Sequence, residues 1–212
     1  LWYTQSNKLE NTRLLDPENF NCLYQGNPKS KEGMMYGEFK TYTTLPSIKV
    51  KKCLIDTADK GTDYLCAISY AESIDENDNN IYVLDVLYTQ EPMEITERLV
   101  IDFVNNGDVR MVSVESNNGG RGFARVVDNG TSSNVSVNWF HQSDNKESRI
   151  FSNSATVTNR LVFPERWSID YAEFYDHLTN FKKLFKANKH DDCADTVTGV
   201  IEDCGKQDFF IV

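Results

Sequence analysis

Three runs of apolar residues separated by polar turns begin after residue 47. They occupy 48–57, 64–71 and 81–88, and each contains several β-branched or aromatic residues. The turn at 75–80 consists only of Asp, Glu and Asn. Apolar runs of this length joined by short polar turns are typical of antiparallel strands. The pattern therefore predicts a meander of three consecutive antiparallel strands.

The spacing of apolar residues becomes helical after Pro92. Ile95, Leu99 and Phe103 are four residues apart, which predicts a helix over 93–106. The later predicted elements are, in chain order, a strand at 109–114, a helix start at 123–127, a strand at 135–140 and helices at 149–160, 169–185 and 190–204. Strands that alternate with helices favour an α/β fold. We expect a mixed sheet, antiparallel in its first three strands, parallel in its later strands and flanked by helices.

Residues 1–47 show no sustained period of either kind. Within them, 26–33 is rich in Gly, Asn, Pro and Ser, which is typical of a loop. We therefore interpret 1–47 as a linker that packs on the domain formed by 48–212.

The composition limits the class of protein. The 212 residues are 40% hydrophobic, which is too apolar for intrinsic disorder, and the apolar runs are too short for a transmembrane helix. Five scattered cysteines without a CxxC pair argue against a disulfide framework and a structural zinc site. We expect a soluble intracellular protein. Because the chain begins without Met, we also expect it to be part of a longer protein.

The net charge bears on possible partners. With 22 Lys and Arg against 32 Asp and Glu, the formal charge is −10. Nucleic-acid affinity comes mainly from Lys and Arg that neutralise phosphates, so a DNA-binding protein with this charge should depend on divalent cations or a partner. Alternatively, the charge only keeps the domain soluble.

Five acidic residues lie at the ends of predicted elements. Asp56 ends the first predicted strand and Glu115 follows the fourth, while Asp191, Asp192 and Asp195 begin the last helix. Functional crevices of open α/β sheets lie outside strand ends, so these acids meet there if the first and fourth strands are neighbours. Helical geometry places Asp192 beside the buried stripe, whereas Asp195 needs a tilted helix to reach the sheet.

Converging carboxylates repel one another unless cations separate them. Ligand sets made only of oxygen suit Mg²⁺ or Mn²⁺, and two such ions about 4 Å apart promote phosphodiester cleavage. Each acid also has a structural explanation, because turns and helix N-termini favour acidic residues. The coincidence of three acidic positions at element ends favours a metal site.

Four segments of the sequence resemble the nuclease domain of large terminase subunits, the DNA-packaging motors of tailed bacteriophages. They lie at 56–63, 82–92, 114–124 and 189–195 and occur in the same order as in that family. The stretch 19–28 resembles the segment where the family's ATPase domain is joined to the nuclease. The resemblance implies an RNase H-like fold and a metal-dependent endonuclease that cleaves concatemeric double-stranded DNA.

The resemblance also implies roles for the acids. By motif, Asp56, Glu115 and Asp192 match catalytic residues, and these three with Asp191 and Asp195 match the ligands of two Mg²⁺ or Mn²⁺ ions. Asp195 follows Asp192 at the Asp-x-x-Asp spacing that is common in related RNase H-like nucleases.

The partners implied by the resemblance are double-stranded DNA, the ATPase domain of the same full-length protein, the small terminase subunit and the portal, with no membrane. The sequence has no Walker A motif, so we expect the ATPase domain to lie outside this chain. The implied location is the cytoplasm of the bacterial host.

Two basic residues near the acids are candidates for DNA binding. Arg121 lies in the glycine-rich turn that follows Glu115, and Lys189 ends a cluster of lysines before the last helix. Arg121 either meets a phosphate or belongs to an ordinary turn, and the lysines either guide DNA or form a solvated face.

Two other functions agree with the sequence. A non-catalytic docking module of the packaging motor would retain the fold but leave DNA uncut with any concentration of Mg²⁺ or Mn²⁺. A related junction-resolving nuclease would prefer branched DNA to linear DNA.

Overall fold

A computed structural model of the chain describes residues 33–58, 63–115 and 120–207. The first 32 residues of the predicted linker, including the segment 19–28, lie outside the described residues. The elements are, in chain order, β1 (Lys40–Tyr42), β2 (Lys52–Asp56), β3 (Leu65–Glu72), β4 (Ile81–Thr89), α1 (Met93–Asn106), β5 (Met111–Glu115), α2 (Gly120–Gly130), β6 (Ser136–Phe140), α3 (Lys146–Arg160), β7 (Leu161–Pro164), α4 (Trp167–Asp170), α5 (Ala172–Thr179) and α6 (Asp192–Gln207). A short 3₁₀ helix at Phe185–Ala187 precedes α6.

The described strands form one mixed sheet with the order β1-β7-β4-β3-β2-β5-β6. The pairs β2–β3 and β3–β4 are antiparallel, as the predicted meander requires. The pairs β2–β5, β5–β6, β4–β7 and β1–β7 are parallel. The predicted mixed sheet is therefore confirmed, and the short strands β1 and β7 extend it beyond the prediction.

The pairing of β2 with β5 determines which strand ends are neighbours. In their parallel register, Ile55 lies opposite Val114. Asp56 and Glu115 each follow a member of this pair, so they end adjacent strands at the same edge of the sheet. The first and fourth predicted strands are neighbours, as the metal-site hypothesis requires.

Helices cover both faces of the sheet. On one face, α1 packs on β3 and β4 and α2 packs on β5 and β6, and Ile55 and Phe123 are buried there. On the other face, α3, α5 and α6 form a second core with Leu54 and Val197. Because successive strand residues point to opposite faces, Asp56 shares the α6 face with Leu54.

Residues 33–47 pack on the same face as α6. Met35, Tyr36 and Phe39 are buried there, and the Met35 amide donates to the carbonyl oxygen of Phe181 at 2.7 Å. This segment also supplies β1. The domain boundary at residue 48 stays a prediction.

The prediction of one continuous helix over 169–185 is wrong. The structure has α4 and α5 instead, and the backbone of Tyr171 (φ −128°, ψ 50°) separates them. Beyond α5, the amide of Lys183 donates to the carbonyl oxygen of Gly33 at 2.9 Å. Residues 181–183 therefore form hydrogen bonds with the segment near residue 33 instead of helical ones, although the helical spacing of apolar residues continues to residue 185.

Four cysteines, Cys53, Cys66, Cys193 and Cys204, are buried free thiols. Burial raises the pKa of each thiol above its ordinary value. Among the described residues, no helix has the length and apolar character needed to span a membrane.

Candidate metal centre

The site begins with two carboxylates at the ends of adjacent strands. Asp56 ends β2 and is partly buried, and Glu115 ends β5 with 8% of its surface exposed. The parallel register of the two strands places these residues side by side. The rim of the sheet therefore carries two neighbouring acids that are largely shielded from solvent.

A third carboxylate comes from α6, which packs closely on β2. A Cβ atom added at Gly199 would lie 2.9 Å from Cδ2 of Leu54, so the helix approaches the sheet at this glycine. Asp195 lies four residues earlier and therefore on the same side of the helix. Ligand oxygens of Asp56, Glu115 and Asp195 all lie within 4.8 Å of one another.

The other two predicted ligands are held differently. Asp192 lies at the edge of the same site, and its Oδ2 accepts a hydrogen bond of 3.3 Å from the amide of Tyr64. Oδ1 of Asp191 accepts a hydrogen bond of 2.8 Å from Nζ of Lys146. Asp192 thus reaches the sheet rim beside β3, as expected, and Asp195, for which the sequence required a tilted helix, joins the strand-end carboxylates as well.

Helix α3 brings two cations to Asp195. Nζ of Lys146 lies 3.1 Å from Oδ2 of Asp195, and the guanidinium of Arg149 lies 2.9 Å from Oδ1. The Arg149 side chain is 6% exposed, whereas the Lys146 side chain is 39% exposed. Each carboxylate oxygen of Asp195 therefore has a positively charged neighbour.

These groups line a cavity of about 310 Å³, and most of its side chains are charged. The lining residues are Asp56, Thr57, Asp63, Glu115, Gln142, Asp144, Lys146, Arg149, Asp192 and Asp195. Six of them are acidic and two are basic, so the cavity has an excess of negative charge.

Crowding changes the acidity of the clustered groups. Burial raises the pKa of Asp56 well above the usual carboxyl value, and the carboxylates of Glu115 and Asp195 raise it further. Burial and Asp195 also raise the pKa of Glu115. Burial raises the pKa of Asp195, although Lys146 and Arg149 oppose this shift. Burial alone would lower the pKa of Lys146, but Asp195 and Asp56 raise it above its ordinary value.

This donor set fits a hard divalent cation. Three carboxylates from three elements offer only oxygen ligands, which suit Mg²⁺ or Mn²⁺. A cation between them would relieve the repulsion that raises their pKa values. In the parts of the chain that the structure describes, no other group of three His, Cys, Asp or Glu ligand atoms is as close.

The two candidate DNA-binding residues lie outside the acidic cavity. Arg121 is exposed near the start of α2, and its guanidinium carbon lies 4.1 Å from the centre of the Trp139 ring. Lys189 is exposed and lines a second cavity of about 440 Å³ together with His177 and Tyr64.

No sequence pattern pointed to Lys146 and Arg149 as part of the site. The predicted helix begins at 149, three residues late, and no local pattern shows that its first turn faces the acids. Glu202 lies seven residues after Asp195, so both share one side of α6. The seven-residue spacing of Asp195 and Glu202 is therefore a sequence signal that one basic side chain, here Arg149, can contact both acids.

Comparison with known proteins identifies a family and a set of similar folds. Residues 54–202 match the family described as Terminase RNaseH-like domain. No curated protein sequence matches the chain. The large terminase from a thermophilic bacteriophage is similar in structure, with a TM-score of 0.58 and 12% sequence identity. The match covers 81% of this chain and 45% of that one, so the chain spans less than half of that large terminase.

Two isolated nuclease domains are similar as well. The P22 large terminase nuclease domain has a TM-score of 0.53 and 12% identity, over 83% of this chain and 95% of that one. The nuclease domain of the large terminase g2p from the bacteriophage SPP1, solved with bound Mn, has a TM-score of 0.51 and 13% identity, over 74% and 87%. At these identities, the similarity establishes a shared fold.

Proposed function

The chain belongs to the family of terminase RNase H-like domains, and we propose that it is the metal-dependent endonuclease domain of a phage DNA-packaging large terminase. The group formed by Asp56, Glu115 and Asp195, with ligand oxygens within 4.8 Å of one another, carries this proposal. The SPP1 nuclease domain, which shares the fold and was solved with bound Mn, supports it.

In this proposal, Asp56, Glu115 and Asp195 hold a Mg²⁺ or Mn²⁺ ion. Asp192, which lines the same cavity, and the adjacent Asp191 are the proposed further ligands of a second ion. Bound ions of this kind lower the pKa of a coordinated water and stabilise the charge that develops on the leaving oxygen. The protein itself keeps the carboxylates together at a shielded rim, where electrostatic interactions are stronger than in bulk water.

The proposed substrate is concatemeric double-stranded DNA. The exposed cations Arg121 and Lys189 are proposed to bind its phosphates outside the acidic cavity, and Lys146 offers a positive charge inside it. The proposed partners are the ATPase domain of the same full-length protein, the small terminase subunit and the portal, in the cytoplasm of the bacterial host.

One observation favours the alternative of a non-catalytic docking module. Lys146 and Arg149 already pair with Asp195, so the cluster is partly neutralised by the protein's own cations. A domain that had lost catalysis could keep its carboxylates in this way. The two functions differ in what they do to DNA.

A plasmid-nicking assay tests the proposal. Wild-type chain is expected to nick supercoiled plasmid in millimolar Mn²⁺ or Mg²⁺ and to lose this activity in EDTA. Asp56→Asn is expected to reduce the rate at least about a hundredfold, because a lost ligand removes several kcal/mol of charge stabilisation. Asp75→Asn is the matched control, since Asp75 lies in the exposed turn between β3 and β4.

The same assay separates DNA binding from chemistry. Arg121→Ala and Lys189→Ala are expected to raise the DNA concentration needed for half-maximal nicking while the metal requirement is unchanged. A folded wild-type chain that never cuts DNA with either ion supports the docking module. Equal rates for the wild type and Asp56→Asn would contradict the proposed site.

A further inference from the structure

Arg149 contacts two acids of α6 at the edge of the carboxylate group. Its Nε and one terminal nitrogen reach both oxygens of Glu202, at distances between 2.9 and 3.3 Å. Its other terminal nitrogen donates to Oδ1 of Asp195 at 2.9 Å. One planar guanidinium therefore connects two acids that lie two turns apart on α6.

Glu202 is itself held by neutral side chains. The amide of Gln142 donates to Oε2 at 3.3 Å, and the amide of Asn153 donates to Oε1 at 3.4 Å. Glu202 therefore has partners from outside α3 as well as from α3 itself. It fixes the position of Arg149 independently of Asp195.

Lys146 contacts the same carboxylate in a different way. Its ammonium lies between Asp191 and Asp195. Its side chain is more exposed than that of Arg149, and an ammonium lacks the rigid fork of a guanidinium. Lys146 supplies positive charge to the carboxylates, whereas Arg149 supplies charge and also a rigid, directional contact with Asp195.

We propose that Arg149, held by Glu202, is a positioning residue that orients the carboxylate of Asp195 toward Asp56 and Glu115. This inference rests on the proposed metal site. Arg149 acts through Oδ1 of Asp195 and leaves Oδ2 for the ion, on the side where Lys146 now lies. Residues that orient metal ligands typically contribute tenfold to a hundredfold to metal affinity.

The sign of the effect distinguishes positioning from simple charge. A positive charge next to the site repels a metal ion, so removing it without any loss of orientation would tighten Mn²⁺ binding. Loss of orientation would weaken Mn²⁺ binding despite the lost repulsion. Arg149 and Lys146 are expected to differ in this sign.

The test is the affinity of the full chain for Mn²⁺, measured by titration calorimetry without DNA. Arg149→Lys keeps the charge but lacks the fork, and it is expected to raise the Kd about tenfold. Glu202→Gln weakens the support of Arg149 and also removes a negative charge near the site, so it is expected to raise the Kd several-fold for both reasons, and only a Kd that does not rise is decisive. Lys146→Ala is expected to leave the Kd unchanged or to lower it. Arg166→Gln, in an exposed ion pair with Asp170, is the matched control.

Thermal unfolding in EDTA shows whether each variant is folded. If Arg149→Lys is unfolded, a Kd that Glu202→Gln leaves unchanged or lowers still overturns the inference. Unchanged or tighter Mn²⁺ binding in a folded Arg149→Lys or Glu202→Gln chain overturns the inference while the metal site stands. A wild-type chain that does not bind Mn²⁺ contradicts the metal site and the inference together. The first result leaves plasmid nicking intact, and the second predicts that nicking is absent.

Discussion

Folding changes how tightly Asp56 holds its proton. Burial, with the carboxylates of Glu115 and Asp195, raises its pKa well above the ordinary carboxyl value. These effects are absent in the unfolded chain, so the folded state holds the proton more tightly. Stability from protonated Asp56 is therefore complete below the unfolded pKa of about 4 and is lost as the pH rises through the folded pKa.

This sign predicts how Asp56→Asn changes stability with pH. In EDTA, the variant is expected to gain stability relative to the wild type as the pH rises from about 4 to neutrality, because it never ionises. Urea unfolding across this range measures the difference, and Asp75→Asn should follow the wild type. If the unfolding free energies of Asp56→Asn and the wild type change with pH in parallel, the fold does not hinder the ionisation of Asp56.

Adding Mn²⁺ at neutral pH should instead stabilise the wild type relative to Asp56→Asn. At a hundredfold excess over its Kd, an ion that binds only the folded state adds about 2.7 kcal/mol. The wild type is expected to gain this stability above the carboxyl pKa values, since protons compete with the ion for the same oxygens. Asp56→Asn is expected to gain little, which unfolding in matched buffers with and without Mn²⁺ would show.

At the scale of single residues, the sequence predicts acids at strand ends better than acids on helices. Asp56 and Glu115 follow apolar runs that end abruptly, and the parallel pairing of their strands brings them together. Whether Asp195 or Asp192 joins them depends on how closely α6 packs on the sheet. That distance is set by the contact between Gly199 and Leu54, which no local pattern reveals.

Among the elements, α6 has the closest link to the site. Gly199 lets it approach β2, and a Cβ at this position would lie 2.9 Å from the buried side chain of Leu54. The side chain can move only by disturbing the core around it, because protein interiors are densely packed. The helix would then shift away from the sheet and take Asp195 with it.

Substitution of two glycines in α6 tests this packing. Gly199→Ala is expected to lose about 1–3 kcal/mol of unfolding free energy through overpacking and to weaken Mn²⁺ binding. Gly205→Ala, at an exposed position with open space around its Cβ, is expected to gain about 0.5–1 kcal/mol as helical propensity rises. Urea unfolding and Mn²⁺ titration measure both effects. An α6 that tolerates Gly199→Ala without loss would contradict the close approach.

The elements that the sequence missed or predicted incorrectly depend on contacts between distant segments. The helix predicted over 169–185 ends early because 33–35 and 181–183 form hydrogen bonds to each other. The strands β1 and β7 are three and four residues long, too short to show a period, and each is defined by its pairing. In contrast, α1 has the bounds that its apolar spacing predicts.

For the whole molecule, the acidic cavity contributes to the net charge of −10. The cavity concentrates carboxylates where a divalent cation fits, and its own cations only partly balance them. Such a surface repels DNA in the absence of metal, so in the proposed function bound ions would favour the approach of DNA as well as take part in its cleavage. The fold joins Asp56, Glu115 and Asp195 from three distant parts of the chain, which is why only the complete fold forms the site.

Anomalous diffraction from a crystal soaked in Mn²⁺ would locate the bound ion itself. We expect an anomalous peak between the carboxylates of Asp56, Glu115 and Asp195, and no peak there in an Asp56→Asn crystal treated in the same way. Mn²⁺ bound only elsewhere, or no bound Mn²⁺ at millimolar concentration, would show that these three carboxylates do not form a metal site.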